Sequence, residues 1–155
     1  MTALQSGLFL ILAAGLGAGY IPFVLLPGAP QVETGLLAYF AFPLWLIGAV
    51  IVLWCFADFT FKGHGTPNPV NPPKELVTTG MYRYVRNPIY VATLAILLGH
   101  FLWFKTIWML AYAVAVFLFF HLFVTLYEEP RLRKKFGAAY EKYCKSVPRW
   151  IPKLK

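Results

Sequence analysis

Leu36–Phe61 reads LLAYFAFPLWLIGAVIVLWCFADFTF, and this run decides the fold class. Residues 36–57 carry no charged side chain, and the first acid is Asp58. A helix rises about 1.5 Å per residue, so about 20 apolar residues cross a hydrocarbon core of ~30 Å. Lipid offers the backbone no hydrogen bonds, so the run must satisfy its own N–H and C=O groups as a helix. Pro43 is tolerable inside it where neighbours satisfy the freed carbonyl. Asp58, close to the far end, reads as an acid at the membrane interface or facing a site, the interface being the preferred reading.

Composition agrees with that reading. The chain has 155 residues, 59% hydrophobic and 13% charged, too few charges for the surface of a soluble domain of this length. Leu8–Leu26 is a second uncharged run. No Lys or Arg precedes it and it exceeds a signal-peptide core, so it reads as a first transmembrane helix, followed by a turn over Pro27–Glu33. Ile89–Trp103 and Ile107–Tyr127 flank Lys105 and read as a helical hairpin with a tight turn at Phe104–Lys105, Pro88 suiting the first turn of its first arm. In the tail, Leu132, Phe136, Tyr140, Tyr143 and Val147 recur at helical spacing among Lys and Arg, and Pro148 ends the pattern. The expected architecture is all-α: one domain over 1–155, an integral membrane bundle of about four transmembrane helices at 8–26, 36–61, 89–103 and 107–127. A loop over 62–88 and a basic amphipathic helix in the 128–155 tail lie on the cytoplasmic surface.

The formal net charge of +8 is placed as membrane topology places it. Lys62, Lys74, Arg83 and Arg86 lie in the loop, the tail holds most of the rest, and Lys105 stands alone at the hairpin turn. The positive-inside rule puts loop, tail and both termini in the cytoplasm. Basic residues flanking apolar runs suit membrane lipids with anionic headgroups, and nucleic acid is not an expected partner. Cys55 and Cys144 form neither a disulfide framework nor a metal-ligand pattern, so no metal is expected.

Two polar clusters are brought together by the hairpin: LVTTGMYRYVRNPIY at Leu76–Tyr90 and YEEPRLRKKFG at Tyr127–Gly137. Arg83 and Arg86 supply cations, Glu128 and Glu129 anions, and Tyr82, Tyr84, Tyr90 and Tyr127 flat hydroxylated rings. Such a corner suits a ligand with both charges and a ring. The same residues would also serve as an ion-pair cluster seating the loop, with the tyrosines in an aromatic belt. A loop of this length in a compact chain is usually functional.

These two motifs, continued by AAYEKYCKSVPRWIP, resemble the isoprenylcysteine carboxyl methyltransferase family, with its bacterial relatives and the phospholipid methyltransferases. The resemblance runs from Gly63 to Pro152 and rests on order and spacing across both motifs. It implies S-adenosylmethionine as cofactor and a lipid or lipophilic acceptor, with multi-pass localisation in a bacterial inner membrane. It implies that backbone around Glu75, Leu76 and Val77 lines the cofactor. Tyr82, the Arg86–Asn87–Pro88 turn and Tyr90 would wall the pocket, and Glu128 would bind the cofactor's polar groups, with Glu129 mattering less. Asn87 stands where the family often has His; it can hydrogen-bond but cannot act as a base. Val124 stands where the isoprenylcysteine enzymes carry a carboxylate-binding arginine, which argues for a phospholipid amine or another lipophilic nucleophile.

His64, in Gly-His-Gly, is a further candidate for the cofactor. His121 reads as a helix-to-helix hydrogen-bonding group, and His100, Trp103, Trp108 and Trp150 as interface residues. Two other functions compete. Sterol reductases share a similar tail, here Phe136-Gly137, Tyr140, Tyr143 and Val147-Pro148, and would use NADPH on a lipid double bond; a non-enzymatic membrane scaffold is the other.

Overall fold

The computed structural model describes residues 15–24, 30–61 and 76–153. The start of the Leu8–Leu26 run, most of the 62–88 loop, His64 and Glu75 lie outside them. The regular elements among the described residues are all helices or helical turns, with one isolated bridge between Gln31 and Thr106. A π turn at Gly15–Tyr20 and a short helix at Ile21–Val24 come first. A 3-10 turn at Gly35–Phe40 then leads into α1, Ala41–Phe61. Helices α2, Pro88–Phe104, and α3, Ile107–Phe123, form the hairpin. A π turn at Val124–Glu128 joins α3 to α4, Glu129–Phe136, and α5 is Ala138–Ser146.

Pro43 is the third residue of α1, where a missing N–H is cheapest, so the helix runs on unbroken. Close packing of α1 on α2 depends on Gly48: a Cβ there would stand 2.6 Å from Ile96 Cγ1 and 2.9 Å from the carbonyl of Ala92. Small residues at a crossing let two backbones approach where lipid supplies no hydrophobic drive. The turn between α2 and α3 falls at Lys105, whose left-handed φ of 55° reverses the chain. Segment 30–34 lies across this turn: Val32 N–H donates to Lys105 O and Thr34 Oγ1 to Leu102 O.

The long helices keep their apolar faces outward. Gly35–Asp58 and Ile107–Phe136 are long and apolar enough to cross a membrane, with mean hydropathy 2.4 and 2.3. Only 17% and 11% of their most apolar stretches are buried by protein, the reverse of a soluble core helix. Leu46, Leu53, Leu118, Phe119 and Leu122 are all exposed. Pro88–Phe104 is apolar but shorter.

Three expectations change. The hairpin's second arm does not stop at Tyr127; it continues through the π turn into α4. Pro130 explains the π turn, because it has no N–H and its ring excludes the carbonyl of residue 126. The chain absorbs this by letting Glu129 N–H reach back five residues to Val124 O. The tail is two helices rather than one, broken at Gly137, whose φ of 51° and ψ of −127° suit only glycine. The apolar positions still converge, because Tyr140, Tyr143 and Val147 pack with Leu76, Leu132, Phe136 and Cys144 across the break. Asp58 is 5% exposed, its carboxyl against Gly80, so it supports the loop from beneath rather than standing open at an interface.

Candidate functional site

The loop and the tail meet at the open end of the hairpin. Arg86 N–H donates to Pro148 O, Lys153 N–H to Tyr84 O, and Asn87 Nδ2 to Arg149 O. Tyr143 donates its hydroxyl to Tyr82 O at 2.7 Å. Burial pushes the Tyr143 hydroxyl pKa up and that of Tyr82 well above its ordinary range, so both remain neutral donors at physiological pH. Pro88 opens α2 directly after Asn87, which fixes where that helix starts relative to the docked tail.

Two adjacent glutamates divide the charge between them. Glu129 is 2% exposed and is held by three arginines. Arg149 forks onto it, Nε to Oε1 at 2.7 Å and NH2 to Oε2 at 2.9 Å; Arg86 NH1 reaches Oε1 at 2.9 Å, and Arg133 NH2 lies 3.5 Å from Oε2. These bonds push the Arg149 pKa further above its ordinary value. Arg133 also binds Glu141 Oε1 at 2.7 Å. Three guanidiniums against two carboxylates leave the cluster one positive charge in excess. Arg86 gives NH1 to Glu129 and to Cys144 Sγ, yet its Nε is buried without a hydrogen-bond partner among the described residues. A buried donor left unpaired costs about 1–3 kcal/mol, so a hydrogen-bond acceptor at that place would stabilise it.

Glu128 turns the other way. Its Oε2 accepts the Tyr90 hydroxyl at 3.0 Å, and the Tyr90 ring stacks on Phe120 with centroids 4.4 Å apart. Consecutive helical residues diverge by about 100°, which is how neighbours address different partners. Tyr82 is buried beside Cys55 and close to Glu128 and Tyr90.

Of the residues singled out from sequence, Tyr82, Arg86, Asn87, Pro88, Tyr90 and Glu128 converge on this corner. Leu76 packs instead on the Tyr140–Tyr143–Val147 cluster, Val77 is half-buried, and Glu75 lies outside the described residues. Sequence reasoning missed Arg149 as the fork on Glu129, although Pro148 and Trp150 flank it in the quoted motif. It also missed the partner of His121, which accepts from Trp150 Nε1 at 3.2 Å while the Trp150 ring packs on Phe117. His100 Nδ1 lies 3.2 Å from Trp45 Nε1 and 2.7 Å from Ile96 O, which ties it to α1.

A family model for phospholipid methyltransferases matches residues 36–139, about two thirds of the chain, and so includes both clusters. No individual curated protein matches the chain. The family match decides among methyltransferase, reductase and scaffold. The chain belongs to the phospholipid methyltransferase family, integral membrane enzymes that use S-adenosylmethionine to methylate lipid acceptors.

Proposed function

We propose that the corner between Arg86 and Glu128 binds S-adenosylmethionine and presents it to an amine-bearing or neutral lipid from the cytoplasmic face of the membrane. The buried Nε of Arg86, without a hydrogen-bond partner among the described residues, carries this reading, together with a Glu128 carboxylate that among those residues accepts from the Tyr90 phenol. The cofactor has a carboxylate, an ammonium and ribose hydroxyls. Arg86 suits the first, and Glu128 either of the others. Tyr82, Asn87, Pro88 and Tyr90 wall the pocket in this reading, and the family resemblance adds the backbone around Glu75, Leu76 and Val77, of which Glu75 lies outside the described residues. When bound, the cofactor supplies an electrophilic methyl group, so the protein needs no strong nucleophile of its own. Its residues orient the acceptor and exclude water; positioning alone can contribute roughly 7–11 kcal/mol at best. Aromatic faces near a sulfonium add about 0.5–2 kcal/mol.

Val124 bears on the acceptor. It is 1% exposed, at the position where the isoprenylcysteine enzymes carry an arginine for a carboxylate. An anion buried against it unpaired would cost several kcal/mol. The test is transfer of a radiolabelled methyl group in nanodiscs. An amine-bearing lipid should be labelled with saturation, and a farnesylcysteine analogue weakly or not at all. Efficient labelling of farnesylcysteine would overturn the acceptor assignment, and no S-adenosylhomocysteine binding would overturn the site.

The chain crosses the membrane with about four helices and with both termini, the loop and the tail in the cytoplasm. Gln31 at the hairpin turn and Lys153 in the tail are both exposed, at opposite ends of the bundle. With Gln31→Cys, a thiol reagent added outside the cell should react; with Lys153→Cys it should not. The reverse pattern would refute this orientation.

A further inference from the structure

An aromatic column climbs one side of α3 and ends on a cation. Phe119 stacks on Phe123 with centroids 6.0 Å apart, Phe123 lies 5.2 Å from Tyr127, and the Arg131 guanidinium stands 5.6 Å above the Tyr127 ring. Arg131 NH1 also donates to the Tyr127 hydroxyl at 2.6 Å. Phe119 is 62% exposed and Tyr127 45%, so the column faces outward from the bundle. Arg131, Lys134 and Lys135 follow on one exposed face of α4. At 1.5 Å per residue, Phe119 to Arg131 spans about 18 Å, close to one leaflet of the ~30 Å hydrocarbon core plus its boundary.

Three other arginines of this end share one carboxylate, and Arg83 lies exposed over the Tyr84 ring. Arg86, Arg133 and Arg149 all meet Glu129, whereas the guanidinium of Arg131 lies over the top of an apolar ridge. An arginine fork matches a phosphate oxygen pair, and aromatic rings below it offer a rigid surface to an acyl chain. Glu128 follows Tyr127 in the chain and faces inward to Tyr90.

We propose that Phe119, Phe123, Tyr127 and Arg131 form the acceptor track for a phospholipid of the surrounding bilayer, its acyl chain on the rings and its phosphodiester on Arg131. The headgroup beyond the phosphate then turns past Tyr127 toward Glu128. This rests on the lipid-methylation reading above, and adds the part of the acceptor that is recognised: the phosphate, not only the nucleophile. Arg131 is a substrate-binding residue in this scheme, and its loss leaves the cofactor corner intact.

Native mass spectrometry of the full chain in detergent tests it, with a diacyl phospholipid, a diacylglycerol of the same chains and inorganic phosphate as probes. Phospholipid occupancy should fall roughly tenfold in Arg131→Ala, as loss of one charge-assisted contact would give. Arg131→Lys should recover part of it, because a point charge replaces the fork. Diacylglycerol should bind weakly to both proteins, and millimolar inorganic phosphate should not displace the phospholipid. Lys145→Ala, another exposed cation off the column, should change occupancy less than about twofold. Retained S-adenosylhomocysteine binding in each variant reports that it is folded. Equal phospholipid occupancy in Arg131→Ala, diacylglycerol binding as well as phospholipid, or displacement by inorganic phosphate would each overturn the proposal. If lipid binding depends on Arg131 while no lipid amine is methylated, the track stands and the acceptor assignment fails.

Discussion

The two ends of the hairpin are closed by different chemistry. At the turn, neutral groups do the work: Thr34 Oγ1 to Leu102 O, Val32 N–H to Lys105 O, Ile107 N–H to Pro30 O, and Trp45 Nε1 to His100 Nδ1. At the open end, three arginines converge on one buried glutamate, and a second glutamate is set beside a tyrosine. Burying charge is the more expensive way to hold chains together, because desolvation offsets much of the Coulomb gain. A protein needing only closure could have used neutral bonds at both ends. Under the proposed function the charged end meets a second requirement, the fixed charges that a ligand carrying both a carboxylate and an ammonium would need.

Glu129→Ala is the harshest test of that contrast. It leaves Arg86 and Arg149 without their shared carboxylate, and breaking a buried pair typically costs about 3–5 kcal/mol. Equilibrium unfolding in mixed micelles should show a loss of that size, with the 147–153 segment opening to proteolysis first. A loss no larger than for a substitution at the turn would erase the distinction between the ends.

Glu128→Ala sharpens it. Glu128 gives up one hydrogen bond from Tyr90, so stability should fall by about 1.5–3 kcal/mol at most, less than for Glu129. Affinity for S-adenosylhomocysteine should fall roughly 10–100-fold by calorimetry, the size of one or two bonds to a charged group. If Glu128→Ala instead unfolds the protein with cofactor affinity unchanged, the two glutamates have been assigned the wrong way round.

Gly137→Ala tests whether the charged end depends on the break between α4 and α5. Its φ of 51° with ψ of −127° is costly for any side chain, about 1–3 kcal/mol. Space is not the obstacle, because nothing lies within 4 Å of where a Cβ would stand. Straightening the corner would pull Tyr140 and Tyr143 off Leu76, so thermal stability should fall with cofactor affinity following it down.

Helices α1, α2 and α3 were legible in the sequence because uncharged runs leave the backbone no alternative in lipid, and the turn at Lys105 because a lone cation interrupts such a run; the expected first span at 8–26 lies only partly within the described residues. The meeting of the 76–90 and 127–137 motifs followed from hairpin arithmetic. What the sequence hid was the partition of charge. The resemblance ranks Glu128 above Glu129 for the cofactor, but only the π turn forced by Pro130 and the returning tail decide which one the arginines reach. Periodicity also read through Gly137 as one helix, since positions 132, 136, 140, 143 and 147 keep helical spacing on both sides of the break. The packing they predict is real, but a corner rather than a rod delivers it.

The smallest expected effect lies at the turn. Thr34 is buried and donates to Leu102 O at 3.1 Å, holding segment 30–34 over the hairpin. Thr34→Val keeps the shape and removes only the hydroxyl. Polar contacts between membrane helices average about 0.6 kcal/mol and reach about 1.7, because the unfolded chain also finds partners. The loss should therefore stay near or below 1 kcal/mol in the same micelle assay, since the Val32 and Ile107 backbone bonds remain. S-adenosylhomocysteine affinity should not change, because the turn lies at the far end of α2 and α3 from the arginine cluster. A drop in cofactor affinity for Thr34→Val would mean that the two ends are mechanically coupled through the hairpin, and their separate treatment would fail.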